Sequence, residues 1–458
     1  MESFLHNSGI SYSTPGSSDF ASARESYSGV HDDKQPSVIV LPANSQQLAD
    51  TVKKAIDHGI PVVVRGGGHD TFGRFTAAGA VLLDLRKLDS VSIDAENSTA
   101  RIGGGIIILN LLKVLKDNGF HASTGACGMV GYTGWALAGG LGPFMNSHGV
   151  GADQIVGAKV VNAKGNLVEA DAGLLKGLRG GGGSLAIVAE LVIKIYPLEE
   201  LQAGLIVHES SDLHKTVTTF YTNLGKLLDE TGGRLPRQLH TLPTISPIPG
   251  IGIVSGCIVA WKGPADEQFQ HWRDRIASLA PLHPALPDAK TIVATTSLYD
   301  LQAHLINILP KSVTGRCHTA TVTKWTPELI KKVADAAVKM PCKTTGGIHM
   351  HMLRIDSPSC LKDAPDAVVP FRTPQTVLEM LGFGQDEESS KETAQWARET
   401  RDVIYNSDDA IEGTYLPLTA PEVLDLEKVY GEKWAELRAL KAEHDPDGVF
   451  KYAVPALP

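Results

Sequence analysis

The sequence has no concentration of charge of one sign. Its 458 residues carry 42 lysines and arginines against 51 aspartates and glutamates, a net charge of −9, and no run of five like charges occurs. Binding to nucleic acid or to an anionic membrane surface depends on clustered positive charge. The balance therefore disfavours both partners and favours a small-molecule substrate.

Long apolar runs are also absent. No stretch approaches the ~18 consecutive apolar residues that a membrane-spanning helix needs. Residues 1–11 have neither the basic start nor the apolar core of a secretory signal. We therefore expect a cytoplasmic protein without a membrane span.

Cysteine is scarce and scattered. Five cysteines are an odd number, and no C-x-x-C pair occurs among them. This pattern argues against a disulfide framework and against a structural zinc site, and we expect no metal. The five are Cys127, Cys257, Cys317, Cys342 and Cys360.

The first organised stretch is a β-α-β unit. An apolar run at residues 38–41 is followed by a helical pattern that opens at Asn44 and Gln47 and stops at Gly59, and a second apolar run ends at Val64. A Rossmann dinucleotide site has its glycines after the first strand, whereas here they follow the second. The pattern predicts an α/β arrangement that is not a Rossmann domain.

Three glycine runs follow that unit, within a chain that has 46 glycines. The first ends in Gly68-His69, the second surrounds Cys127, and the third covers residues 180–183. So many glycines are costly in regular structure, which predicts that something flat lies against this backbone. Taken singly, His69 fits a histidine that caps a turn, and Cys127 fits a small buried apolar residue.

From about residue 200 the glycine runs stop, and strand and helix patterns alternate. Residues 346–353 read as a strand, in which His349, His351 and Leu353 share one face because side chains alternate. Residues 365–386 read as irregular, as do residues 1–34, which are rich in Ser, Gly and Asp.

Together these motifs resemble the berberine-bridge-enzyme-like branch of the vanillyl-alcohol-oxidase type flavoproteins, over nearly the whole chain. Arg65 to His69 is similar to the family's R-G-G-G-H, whose histidine carries the 8α-methyl of FAD. Residues 125–131 are similar to its G-x-C-x-x-V-G, whose cysteine bonds carbon 6 of the same ring. The resemblance implies FAD bound covalently through His69 and Cys127.

Further positions match the family's flavin-binding segments. The predicted cofactor-binding residues are Arg65, Gly66, Gly67, Gly68, His69, Cys127, Val130, Gly131, Gly134, Trp135, Gly139, Gly140, Gly142, Gly183, Ile187, Val188, Tyr405 and Asn406. Trp135 and Ala138 depart from the usual motif, in which a smaller ring and a glycine stand. Both changes affect the expected placement of the flavin ring.

The implied fold class is α+β. It comprises an irregular lead-in (1–34), a two-part FAD-binding domain of the PCMH type (35–200), a substrate domain whose antiparallel sheet roofs the flavin (201–404), and a segment returning to the FAD domain (405–458). The oligomeric state does not follow from the sequence.

The implied reaction is hydride transfer from a small molecule to the flavin, with O2 reoxidising the ring. Tyr405 is the first candidate for the proton acceptor, because the family motif places its ring at the flavin. His349 and His351 come next. Glu412 and His318 have less support, and His121, His148 and His444 are interpreted as structural.

Several functions remain open within the resemblance. A bulky substrate in secondary-metabolite biosynthesis fits an open pocket and a cytoplasmic protein. The alternatives are a carbohydrate oxidase, a redox-neutral cyclase or pericyclase that keeps its flavin, and a binding protein without activity.

Overall fold

The computed structural model describes residues 1–284, 294–308, 312–413 and 415–458. No helix among these residues is long and apolar enough to cross a membrane.

The first part of the region predicted to bind FAD contains a small sheet in the order β1-β2-β4-β3, in which β1 is antiparallel to β2 and the other strands are parallel. Its elements are α1 (Glu2–Asn7), β1 (Ser11–Ser13), α2 (Phe20–Arg24), β2 (Val38–Leu41), α3 (Ser45–Asp57), β3 (Val62–Arg65) and β4 (Val81–Asp84). The prediction of an irregular lead-in is therefore wrong, because residues 1–34 form two helices and an edge strand of this sheet.

Helix α3 shows why the β-α-β unit could be read from the sequence. The Asn44 side chain accepts a hydrogen bond from the Gln47 amide, and the Gln47 side chain accepts one from the Ala43 amide. These bonds satisfy amides that the first helical turn leaves free. Leu48 and Val52 are fully buried against the sheet.

The second part contains an antiparallel sheet in the order β5-β6-β10-β8-β9, and β7 pairs with β11 beside it. Its elements are β5 (Val91–Asp94), β6 (Thr99–Gly103), α4 (Ile108–Asp117), β7 (Phe120–His121), α5 (Tyr132–Leu137), α6 (Met145–His148), β8 (Ile155–Val161), β9 (Leu167–Glu169), α7 (Ala172–Gly181), β10 (Ile187–Lys194) and β11 (Tyr196–Pro197).

The remaining strands form an antiparallel sheet in the order β15-β12-β14-β13-β17-β18-β16-β19. The elements are β12 (Leu201–Val207), α8 (Leu213–Glu230), β13 (Leu239–Ile248), β14 (Gly252–Lys262), α9 (Glu267–Ala277), β15 (Ala294–Thr296), α10 (Leu298–Ile308), β16 (Gly315–Val322), α11 (Pro327–Val338), β17 (Ile348–Leu353), β18 (Gln375–Phe383), α12 (Glu387–Tyr405), β19 (Ala410–Ile411), α13 (Leu426–Tyr430) and α14 (Trp434–His444). Strand β18 corrects the prediction that residues 365–386 are irregular. The sheet extends to Ile411, beyond residue 404.

The two faces of this sheet differ in character. Met350 and Met380 point to one face and pack in a core with helices α8, α11 and α12. His349, His351 and Glu379 alternate with those residues and therefore point to the other face. We call this second face the polar face. This face is turned towards residues 35–200, since Val377 on it packs in a cluster with Leu141.

The end of the chain packs back on α7. The Lys441 ammonium, which is buried, donates to the Ser184 carbonyl and forms an ion pair with Asp445. Further on, the Ser184 hydroxyl donates to the Pro455 carbonyl, and the Gly183 amide donates to that of Val454. Residues 441–455 thus cover the third glycine run.

Candidate active site

His69 and Cys127 lie side by side although 58 residues separate them. The His69 Nε2 and Cys127 Sγ atoms are 3.9 Å apart, and both side chains are partly exposed. Tyr27 stacks on the imidazole with ring centroids 3.8 Å apart and planes inclined by 13°. The site therefore brings together two nucleophiles and an aromatic ring that the sequence did not indicate.

The loops that carry the two nucleophiles touch through glycines. A Cβ atom on Gly131 would lie 2.5 Å from the Gly67 nitrogen, and one on Gly67 would overlap the Gly131 backbone in the same way. Only residues without a side chain allow this approach. Gly67 and Gly131 therefore set the separation of His69 from Cys127.

Burial shifts the pKa values of the two nucleophiles in opposite directions. Desolvation lowers the pKa of His69 to about 4, so its imidazole is neutral near pH 7. Desolvation raises the pKa of Cys127, and the amides of Met129 and Val130 only partly oppose this. The amides around Cys127 therefore lower the pKa of its thiol, but the effect of burial is larger.

Arg65 has a different role from the one predicted for it. Its side chain is 1% exposed, and its Nη2 atom lies 2.6 Å from both Asp84 Oδ2 and the Ala23 carbonyl oxygen. A guanidinium enclosed in this way is not free to touch a ligand. Arg65 is a support beneath the glycine loop, and its assignment to cofactor binding is corrected accordingly.

Much of the glycine ladder also serves chain packing. Gly140 lies against Gly151, Gly139 against Phe371 and Gly142 against the Thr124 carbonyl, so the close neighbour in each case is protein. Gly68, Ile187 and Val188 are buried as well. These residues were predicted to face the cofactor, but protein atoms already cover them.

Trp135 fills a space between glycines. Its indole nitrogen donates to the Leu141 carbonyl at 2.9 Å, and its ring lies 2.8 Å from the position of a Cβ on Gly151. Gly125 also adjoins this ring. Trp135 is therefore a 7% exposed core residue and not a flavin-facing one.

The polar face of the sheet contributes a carboxylate between two histidines. His351 Nε2 is 3.3 Å from Glu379 Oε1, and His349 pairs with Glu379 across the strands. Burial alone would raise the pKa of Glu379, but His351, through its charge and its hydrogen bond, and to a lesser extent His349 hold it below its ordinary value. His349 Nε2 lies 3.2 Å from the Ser246 hydroxyl, and desolvation lowers the pKa of His349.

Charge interactions run from Glu379 through Cys317 to Tyr27. Burial is the main cause of the raised pKa values of Cys317 and Tyr415, and the charge of Glu379 raises both further. The pKa of Tyr27 is raised mainly by burial, and the charges of Cys127 and Cys317 raise it further. Glu379 and Tyr27 therefore both interact with Cys317, and Tyr27 also interacts with Cys127.

Tyr405 and Asn406 do not lie among these residues. The two residues end helix α12, and Ile404 of that helix packs in the core that covers the opposite face of the sheet. The Tyr405 hydroxyl donates to the Glu412 carbonyl at 3.0 Å, and Asn406 is exposed. Their prediction as catalytic and cofactor-binding residues is corrected, because the sheet stands between them and His349.

Tyr415, ten residues later, is the tyrosine on the polar side. Its amide is bonded to Thr319, the cross-strand partner of Glu379, and its hydroxyl lies 3.5 Å from the Leu141 amide. The less favoured candidates do not face the cluster. His318 alternates with Thr319 and so lies on the helix side, and Glu412 is exposed and paired with Lys428.

The three histidines interpreted as structural lie elsewhere. His121 and His148 belong to an aromatic group with Phe144 and Tyr196, in which His148 stacks on Tyr196 at 3.6 Å. His444 ends helix α14. None of these contacts involves His69, Cys127 or Glu379.

Glu379 and Tyr27 are the residues that sequence reasoning missed. Glu379 is the one charged residue in the run Thr376 to Leu381, and a lone carboxylate in an apolar strand was a usable signal. Tyr27 lies in a segment rich in Ser, and no periodicity marks it.

The residues present fit FAD. His69 and Cys127 are nucleophiles suited to covalent attachment. A Cβ atom on Gly66 or on Gly134 would meet no described atom within 4 Å, so these two glycines have an open side. Next to Gly134, the buried Thr133 hydroxyl has no hydrogen-bond partner among the described residues. With Val130 and Gly183, which are partly exposed, these residues would hold the cofactor.

Comparison with known proteins agrees with this assignment. Residues 36–171 match a family model described as an FAD binding domain. The FAD-linked oxidoreductase aurO of Gibberella zeae is 30% identical over 432 residues, which are 93% of this chain and 81% of that protein.

Two solved structures share the fold. A berberine bridge enzyme variant described as a reticuline dehydrogenase superposes with a TM-score of 0.83 at 16% identity, covering 100% of this chain and 99% of that one. Glucooligosaccharide oxidase from Acremonium strictum, described with a 6-S-cysteinyl, 8α-N1-histidyl FAD, gives a TM-score of 0.79 at 20% identity, covering 98% and 97%. The expected α+β fold is confirmed. This protein belongs to the berberine-bridge-enzyme-like FAD-linked oxidoreductases.

Proposed function

We propose that this protein is an oxidase whose FAD is joined to both His69 and Cys127. It removes a hydride from a bulky small molecule in secondary-metabolite biosynthesis, and O2 is the final electron acceptor. The observation that carries the proposal is the 3.9 Å approach of the two partly exposed nucleophiles. The similar glucooligosaccharide oxidase, described with both linkages, supports it.

Attachment at two points has a consequence for the rest of the site. When bound, FAD supplies the hydride acceptor and returns the electrons to O2. A ring held by His69 and Cys127 needs fewer enclosing contacts from the protein. The polar face of the sheet is then left to bind and orient a large substrate.

Glu379 is the proton acceptor in this proposal. It is 7% exposed, and the neighbouring histidines keep it ionised near pH 7. Substrate binding removes the remaining water, so a substrate hydroxyl beside the carboxylate finds a strong hydrogen-bond acceptor there. The proton passes to Glu379 as the hydride leaves the adjacent carbon, and His351 stabilises the carboxylate before transfer.

A carbohydrate is the second candidate substrate class. The observation that favours it is the shared fold with glucooligosaccharide oxidase, together with hydroxyl groups of Ser246 and Thr244 beside His349, which suit a polyhydroxylated substrate.

Two measurements test the proposal. After acid denaturation and filtration, wild-type protein should keep its flavin, as should Cys127→Ala and His69→Ala, whereas the double variant should release it. Flavin in the wild-type filtrate would overturn the attachment.

The oxidase activity is tested by anaerobic mixing with phenolic, terpenoid and sugar panels. Bleaching of the yellow flavin by one class identifies the substrate, and oxygen should restore the colour with release of hydrogen peroxide. Product formation without bleaching would instead identify a redox-neutral cyclase.

A further inference from the structure

The segment that carries Tyr27 is built around the glycine loop of His69. The Tyr27 amide donates to the Gly68 carbonyl at 3.1 Å, and the Tyr27 carbonyl accepts from the Val313 amide at 2.9 Å. One residue further, the Ser28 hydroxyl donates to the Asp70 carbonyl at 2.9 Å. Bonds on both sides of His69 therefore fix the Tyr27 backbone relative to the histidine.

Arg65 holds the same segment from below. Its guanidinium joins the Ala23 carbonyl to the Asp84 carboxylate, each at 2.6 Å, in a site closed to solvent. Since Arg65 starts the loop that ends at His69, this contact ties the loop to the residues just before Tyr27. A buried ion pair with hydrogen bonds of this kind is costly to break.

The ring of Tyr27 has surroundings that keep it in place. It packs against a small apolar cluster to which Phe72, Cys317 and Phe383 belong. The stacked arrangement, at 3.8 Å and 13°, covers one face of the imidazole while Nε2 points to Cys127. A rotation of the imidazole about its Cβ–Cγ bond would break this stack.

We propose that Tyr27 is a positioning residue for covalent attachment of FAD at His69. It holds the imidazole plane in the orientation that the reaction requires, and Arg65 acts through it by anchoring the segment. The inference rests on the attachment proposed above. It adds a role for residues 23–28, which the sequence did not associate with the site.

The step that Tyr27 assists is balanced as follows. The N–H bond of His69 and one C–H bond of the 8α-methyl are replaced by a single N–C bond. The two hydrogens and their two electrons leave with O2, the acceptor of the proposed function, as hydrogen peroxide. Attachment at this carbon needs a nitrogen lone pair aimed at it, and the stack sets that aim.

The experiment uses full-length chain from riboflavin-limited cells, to which FAD is added while acid-stable flavin is measured over time. In the Cys127→Ala background His69 alone can attach the cofactor. We expect Tyr27→Leu to slow attachment there about three- to tenfold, which is the change in rate that corresponds to the free energy of one aromatic stack. Tyr27→Phe, which keeps the ring, should restore the rate.

The His69→Ala background is the matched control, since only Cys127 can then react. Tyr27→Leu should slow attachment there less than in the Cys127→Ala background, because the stack acts on the imidazole. Equal slowing in both backgrounds would show a general structural effect and overturn the inference, as would an unchanged rate in the Cys127→Ala background. Absence of acid-stable flavin in Cys127→Ala itself would instead contradict attachment at His69.

Discussion

The two nucleophiles respond to their surroundings in ways that separate their chemistry. His69 is neutral above about pH 4, whereas burial keeps the Cys127 thiol protonated to higher pH than an ordinary cysteine. Only the thiolate is strongly nucleophilic. The two linkages should therefore form with different pH dependence.

In the Cys127→Ala variant we expect the attachment rate to be flat from pH 6 to 9 and to fall as the pH approaches about 4, where His69 gains its proton. In the His69→Ala variant the rate should rise with pH, because each step up increases the thiolate fraction. Acid-stable flavin measured against time at each pH checks both. Identical profiles would contradict the assignment of the nucleophiles.

Glu379 gives a second prediction for a single residue. Glu379→Gln removes the proton acceptor but keeps the shape of the side chain, so kcat should fall by about 10²–10⁴-fold. Glu412→Gln is the matched control, because Glu412 is exposed and paired with Lys428. It should leave kcat unchanged, and a loss confined to KM in Glu379→Gln would argue against proton transfer.

Among the elements, the glycine loops show which substitutions the fold can accept. Gly67→Ala places a methyl group in the Gly131 backbone, whereas Gly66→Ala meets no described atom within 4 Å. We expect Gly67→Ala to lower stability by about 1–3 kcal/mol and to reduce acid-stable flavin. Gly66→Ala should keep the melting temperature of the flavin-free protein, and similar destabilisation by both would contradict this account.

The same elements explain what the sequence could and could not predict. Helix α3 has an apolar face and a cap at Asn44, so local residues identify it. Strand β18 follows Pro365, Pro370 and Pro374 and is buried along most of its length, so it shows neither clean boundaries nor alternation. Tyr27 is placed by bonds to Gly68 and Val313, which no local pattern encodes.

The tyrosine assignment failed for a related reason. Tyr405 and Tyr415 are both tyrosines near the end of the sheet, and only the side of the sheet that each occupies separates them. That choice depends on helix α12 packing against Met380 and its neighbours, which is a property of the assembled sheet.

For the molecule as a whole, buried neutral histidines predict sensitivity to acid. His121, His208 and His240 are at most 5% exposed, and desolvation lowers their pKa values to about 4, 4 and 3. Unfolding returns each to about 6.5. Their stabilising contribution is complete above pH ~6.5 and is lost as the pH falls toward 4, because the unfolded chain takes up protons first.

Each such histidine should cost about 1.4 kcal/mol of unfolding free energy per pH unit below ~6. His121→Phe keeps an aromatic ring beside Phe144 but cannot be protonated. The slope of its unfolding free energy against pH should therefore be smaller by that amount. Urea unfolding at pH 7, 6 and 5 measures the slope. The exposed His58→Gln serves as control, and an unaltered slope in His121→Phe would contradict the prediction.

The contacts of residues 441–455 with Ser184 and Gly183 have a consequence during synthesis. A ribosome that has translated the first two hundred residues has made every strand of the FAD-binding sheets, but not the segment that covers the third glycine run. That run stays uncovered while the whole eight-stranded sheet is produced. Flavin loading at this run is therefore expected to follow the synthesis of residues 441–455.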